Sequence, residues 1–142
     1  MENTIMFRNS RITFVGCLLV AAVLQQAHAE IVVIVSAKST AATMTAAEVS
    51  QIYLGKSTSM KPIDMSDKSP VRGQFYSKVA GKDEAQVKAI WSKLVFTGKA
   101  TPPKELPSSA DVVKAVAADP RAIGYVEKSA VDSSVKVILD VS

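Results

Sequence analysis

The segment Ile31-Val32-Val33-Ile34-Val35 runs without a polar break. A strand with one wet face alternates apolar and polar side chains, so an unbroken apolar run fits a strand covered on both faces. Double cover belongs to α/β sheets, with helices packed on either side. The rest of the chain is consistent with that constraint. Strand-like and helix-like segments alternate loosely, and there is no internal repeat, low-complexity stretch or linker. The expected fold class is α/β, with a mixed sheet and flanking helices.

Helix starts are well marked. Thr45-Ala46-Ala47-Glu48 is a capping box, and the helix it opens runs to about Leu54, with Val49, Ile52 and Tyr53 on one side and Gly55 as its stop. Lys61 to Met65 reads as a short strand. Ser69-Pro70 is a helix start, because Ser caps free N–H groups and Pro suits the first helical position. Val71, Phe75 and Val79 then form an apolar stripe up to Gly81. Asp83 and Gln86 open a third helix, which carries Val87, Ile90, Trp91, Leu94 and Val95 and closes at Gly98. Thr101-Pro102-Pro103 is an extended connection. Ser108 or Ser109 caps a fourth helix with Val112, Val113 and Val116 inside, ended by Asp119-Pro120. Strands are expected at Ala122–Val126 and Val135–Leu139, and the segment from Ser36 to Thr43 reads as a loop.

Ahead of the first strand, residues 1–29 read as a secretory signal peptide. Arg8 and Arg11 form a positive region, Ile12 to Leu24 an apolar one, and Ala27-His28-Ala29 an A-x-A cleavage site before Glu30. The apolar run is 13 residues long, short of the ~20 that span a bilayer. Phe14-Val15-Gly16-Cys17 loosely matches a lipoprotein box, but much of the apolar run follows Cys17. No paired arginine is present, which favours the general export route. The expected organisation is therefore a leader over 1–29 and one domain over 30–142, periplasmic or secreted.

The single cysteine, Cys17, and the single histidine, His28, both fall in that leader. Once cleaved, the chain has no thiol and no imidazole. Cys nucleophiles, Ser-His-Asp triads, His or Cys metal sites and disulfides are then excluded together. Binding is favoured over catalysis, and neither metal nor cofactor is expected. Losing Arg8, Arg11 and Glu2 takes the formal charge from +4 to +3. The lysines are scattered, without the basic stripe and interleaved aromatics of a nucleic-acid binder. A modest positive field suits an anionic ligand.

Four stretches, in order, resemble the phosphate-binding family of type II periplasmic solute-binding proteins. They are Ala47–Lys56, with Ile52-Tyr53-Leu54-Gly55-Lys56 like that family's Ile-Phe-x-Gly-Lys; Pro62-Ile63 with Ser69 to Phe75; Trp91 to Lys99; and Pro120–Val126, like Pro-Gly-Ala-Ile-Gly-Tyr-Val. The resemblance covers most of residues 31–139 and implies a solute-binding fold serving an ABC transporter permease or an envelope sensor. Family members have two lobes. Here the first strand passes almost directly into the Thr45 helix, so a short single-lobe relative is implied, with homodimerisation as one route to a full cleft. Phosphate binders of the family carry an Arg four residues before Ser-Gly-Thr. With that Ser on Ser69, Met65 replaces the Arg, and Pro70 and Val71 replace Gly and Thr.

The ligand-binding candidates are Ser69, Arg72, Ser36, Ser39 and Thr40. Ser69 stands at a helix N-terminus, where free N–H groups and the helix dipole favour an anion; alternatively it only caps its helix. Arg72, one turn in, is a substitute anion clamp, or a solvated residue, or a partner for Asp67. Ser36, Ser39 and Thr40 follow the first strand, where ligands often sit in α/β sheets; the rival is ordinary loop hydroxyls. Asp64 is either a proton acceptor for hydrogen phosphate or a turn former. Tyr53, Phe75, Trp91 and Phe96 read as core, Thr97-Gly98-Lys99 as a helix end, and Gly124 as a site of close packing. The leading expectation is an exported, non-enzymatic protein that binds a small oxyanion such as phosphate for transport or sensing. The alternative is the same fold reused as a protein-interaction or sensory adaptor domain in the envelope.

Overall fold

A computed structural model describes residues 30–141, so the expected leader, with Cys17 and His28, lies outside the described residues. Five strands and four helices follow one another as β1 (Ile31–Ser36), α1 (Ala46–Tyr53), β2 (Lys61–Met65), α2 (Pro70–Ala80), α3 (Glu84–Phe96), β3 (Lys104–Leu106), α4 (Ser109–Ala118), β4 (Ala122–Glu127) and β5 (Val135–Asp140). The sheet order is β3-β2-β4-β1-β5. β2 is parallel to both β3 and β4, whereas β1 is antiparallel to β4 and β5. The fold is therefore α/β with a mixed sheet, as expected from the sequence.

All six residues of β1 are buried, as its unbroken apolar run requires. Double cover, however, does not make a strand parallel. β1 lies deep in the sheet between β4 and β5 and runs against both.

The two faces of the sheet are built differently. On one, α4 lays Val112 and Val116 over Gly124: a Cβ there would stand 2.7 and 2.8 Å from their methyl carbons. Contacts that short do not occur, so glycine is what lets helix and strand approach. On the other, β4 turns Tyr125 toward α1 and α2. Its ring stacks on Phe75 at 3.8 Å and meets Tyr53 edge-on at 5.6 Å. The fully buried Tyr53 donates its hydroxyl hydrogen toward the carbonyls of Ile63 (2.9 Å) and Ile123 (3.1 Å), tying α1 to β2 and β4. Trp91 of α3 donates its indole N–H to Tyr53 O at 3.0 Å.

The expected capping box at Thr45/Glu48 is formed, and Asp83 with Gln86, which open α3 as expected, form a second. α4 is capped by Ser108, which accepts from Asp111 N. Three details differ from expectation. The connection after Pro102-Pro103 continues into β3, which pairs with Ile63–Met65. Ser69 holds the N-cap position of α2 but makes no side-chain capping bond. Phe96 is not core: it is 92% exposed, and neighbouring Val95 is half-exposed. The reason is angular. At 3.6 residues per turn Phe96 lies about 140° around the helix from Trp91, off the buried stripe.

Candidate functional site

β2 ends on Asp64-Met65, and four other elements converge there. Asp64 is 2% exposed, neither solvated nor in a turn. Its Oδ2 accepts from the hydroxyl of Tyr76 (α2) at 2.6 Å, and its Oδ1 accepts from the hydroxyl of Tyr125 (β4) in a short hydrogen bond. Met65 N–H also donates to Oδ1, at 2.8 Å. Burial raises the Asp64 carboxyl above the usual range, opposed by the donations from Tyr125 and Tyr76, the Arg72 charge and the Met65 N–H. Burial and then the nearby Asp64 charge push both tyrosine hydroxyls well up, so both remain protonated donors.

Arg72, in the first turn of α2, lies over this carboxylate. Its Nη1 donates to Met65 O at 2.9 Å and to Glu105 Oε1 (β3) at 2.8 Å. Its Nη2 is 3.8 Å from Asp64 Oδ2, and its Nε is 3.9 Å from Glu84 Oε1 (α3). Nε is buried and has no hydrogen-bond partner. The guanidinium also stands 5.8 Å from the Tyr76 ring centre, within cation–π range. Its carboxylate partners are thus Asp64, Glu84 and Glu105 rather than Asp67. Burial works against the charged form, but the Glu105 hydrogen bond and the Asp64 charge outweigh it, so the net shift is upward and Arg72 is a permanent cation. The guanidinium side chain is 11% exposed, whereas that of Glu105 is 53% exposed.

Of these groups Asp64, Arg72 and Glu105 line a cleft of about 470 Å³, whose walls include Lys88, Trp91, Phe96 and Pro102. A larger cleft of about 670 Å³ begins on the other side of Trp91 and Pro102-Pro103. Its lining is mainly apolar, with Ile52, Met60, Ile63 and Ala115, and its lysines, Lys61, Lys99 and Lys104, are exposed. Size does not choose between them; a cation kept under cover does, because a buried charge is retained only where partners hold it.

The structure brings Ser69 and Arg72 together at the end of β2. The Ser69 hydroxyl lies 3.4 Å from Met65 Sδ, a weak contact. Pro70 at the first helical position removes one N–H from the helix start. Ser36, Ser39 and Thr40 are elsewhere. Ser36 is the last residue of β1 and pairs with Val135 at the start of β5, with Ser39 and Thr40 in the loop just beyond, and β1 runs against β4, to which β2 is parallel. They therefore stand at the opposite end of the sheet, and the five candidates do not form one site. Ser36 Oγ donates to Ala117 O at 3.4 Å and accepts from Lys38 N at 3.2 Å. Ser39 Oγ accepts from Ala41 N at 3.1 Å. Thr40 is exposed.

Sequence reasoning missed Tyr76, Tyr125 and Glu105 as members of the site. One signal was present: Asp64 sits between Ile63 and Met65 in a strand, so a buried carboxylate needing donors was readable.

No protein-family model matches this chain, and no curated protein matches it in sequence. Solved structures do. A protein of Clostridium perfringens assigned as a phosphate ABC transporter substrate-binding protein, with phosphate bound, superposes with a TM-score of 0.63 at 21% identity over 78% of this chain and 44% of its own. An ABC-type phosphate transport receptor from Vibrio cholerae gives 0.61 at 17% identity, over 78% of this chain and 45% of its own. PstS from Borrelia burgdorferi gives 0.58 at 12% identity, over 78% and 46%. At such identities the likeness is one of fold. This chain spans less than half the length of these proteins and has the periplasmic-binding-protein-like α/β architecture.

Proposed function

We propose that this chain is an exported, non-enzymatic binding domain that captures a small oxyanion at Arg72, for transport or sensing in the cell envelope. One observation carries the reading. A permanent cation forms the floor of an open cleft, and Glu105, which closes the shortest ion pair to it, is half-exposed and free to be exchanged. The fold shared with proteins described as phosphate transport receptors supports it. Ser69, beside Arg72, is an auxiliary donor, because its hydroxyl is not committed to capping α2. Asp64 acts as a scaffold rather than a base: two tyrosine hydroxyls and a backbone N–H already occupy its oxygens. An ABC transporter permease or an envelope sensor protein is the partner such a domain would serve, and pairing of two copies would complete the cleft.

The test is isothermal titration of the purified protein with phosphate and with sulfate, beside a Ser69→Ala, Arg72→Ala double variant. Saturable heat that the variant loses is the expected result. No heat at millimolar anion in the folded protein, with benzoate tried beside the two inorganic ions, would overturn the reading and leave a shared fold without a shared ligand.

A further inference from the structure

The ligand class can be narrowed by asking what now holds the guanidinium. Four elements bring charged groups to the cleft or to its guanidinium: Asp64 from β2, Arg72 from α2, Glu105 from β3, and from α3 Lys88 on the cleft wall and Glu84 near Nε but outside the lining. The balance is two cations against three carboxylates. Of the three carboxylates, Asp64 is buried and locked by Tyr76 and Tyr125. Glu84 reaches only Nε, at 3.9 Å. Glu105 alone closes a short bond to Nη1, from a side chain that is 53% exposed. It sits in the three-residue strand β3 just beyond Pro102-Pro103. Glu105 therefore holds the position an anionic head group would take, as a built-in competitor.

We infer that the site takes a monoanion with an apolar body, whose head group replaces the Glu105 carboxylate on Arg72. The inference rests on the oxyanion reading above and narrows it. Exchange of one carboxylate for one monoanion leaves the local charge unchanged. A dianion adds a negative charge beside Asp64 and Glu84, whose carboxylates already offset the guanidinium. The walls point the same way. Trp91, Val95, Phe96, Pro102 and Pro103 line the cleft next to the cation, and Phe96 offers a ring that is 92% exposed. Such a wall gains from covering a ring or a short alkyl chain and gains nothing from a hydrated inorganic ion. Pro102 and Pro103, without N–H groups, add apolar surface and no donors. Glu105 is then a specificity-determining residue. It sets a threshold that a ligand passes only by matching its charge and adding apolar contact.

The experiment titrates benzoate, phosphate and sulfate at pH 8 into the full chain and into its Glu105→Gln and Arg72→Lys variants, with thermal melts to show that each is folded. Benzoate is expected to bind the unaltered protein more tightly than either inorganic ion. Glu105→Gln is expected to bind benzoate about fivefold tighter, the effect of removing one half-exposed ion pair. Arg72→Lys keeps the charge but loses the fork and is expected to weaken benzoate binding. Phosphate or sulfate binding ahead of benzoate, with Arg72 dependence, would overturn the monoanion inference and leave the oxyanion reading standing. Unchanged benzoate affinity in a folded Glu105→Gln variant would overturn the competitor role. No heat from any anion in either the unaltered chain or Glu105→Gln would overturn both.

Discussion

The two ends of the sheet both bury polar side chains, and they do so in different ways. Where β2 finishes, Asp64, Arg72, Tyr76 and Tyr125 arrive from three elements and meet across 8 to 61 residues of sequence. Where β1 finishes, Ser36 and Ser39 are also buried, at 1% and 8% exposure, yet each accepts from the backbone N–H two residues on. The second pattern is turn chemistry, in which a short side chain stands in for a backbone acceptor. Depth alone therefore does not mark a site. A charge kept under cover by residues from separate elements does, because it is costly to bury and only a specific surrounding stabilises it.

The strongest way to break this contrast is at Asp64. Asp64→Ala removes the acceptor for two buried tyrosine hydroxyls and one of the carboxylates near Arg72. We expect a loss of about 3–5 kcal/mol of folding stability, the range for breaking a buried ionic network, read from urea unfolding. The ionisation has its own signature. Burial holds the Asp64 carboxyl above its ordinary range, so the folded state binds that proton more tightly than the unfolded chain. Its contribution to stability is fully present below the ordinary carboxylate value and is lost as pH rises through the raised folded value. Asp64→Asn cannot ionise, so its unfolding free energy should lack this decline across the acid range. A decline equally steep in both proteins would show that other groups cause it.

The next effect in size belongs to one hydroxyl. Tyr76→Phe keeps the ring under the Arg72 guanidinium and removes only the 2.6 Å bond to Asp64. Losing a hydrogen bond to a charged group should destabilise by about 1.5–3 kcal/mol, again by urea unfolding. A change below about 0.5 kcal/mol, the scale of bland surface substitutions, would mean that the network at this end is no more demanding than the turn at the other.

Much of the fold was legible because it is written locally. Capping boxes at Thr45 and Asp83 fixed two helix starts, and the run Ile31–Val35 gave a buried strand. Strand direction is not local. Nothing within β1 shows that it runs against β4 and β5, and that single fact carries Ser36, Ser39 and Thr40 away from Arg72. Half of the site was legible for a related reason: Ser69 and Arg72 share one helix start. Their partners come from β3, β4 and the body of α2, and only tertiary packing reveals them. Phe96 follows Leu94 and Val95 and so reads as part of an apolar helical face, but its angle around α3 turns it away from the stripe of Val87 and Trp91.

The smallest expected effect is the most discriminating test of the contrast. Ser39→Ala deletes one local bond, the 3.1 Å acceptance from Ala41 N. It leaves other ties at this loop intact: Lys136 Nζ donates to the Ser39 main-chain carbonyl, at 2.7 Å, and not to the hydroxyl. The backbone N–H that is freed lies in a loop where water reaches it, so the loss should be about 0.5–1 kcal/mol. Anion affinity at Arg72 should not change, since the strand separates the two ends and Ser39 shares no partner with the Asp64 network. Titrating the Ser39→Ala variant with benzoate and with phosphate checks this directly. If the substitution abolished binding while the fold stayed intact, the β1 end would be the ligand end, and the buried ionic network at β2 would be a structural clamp only.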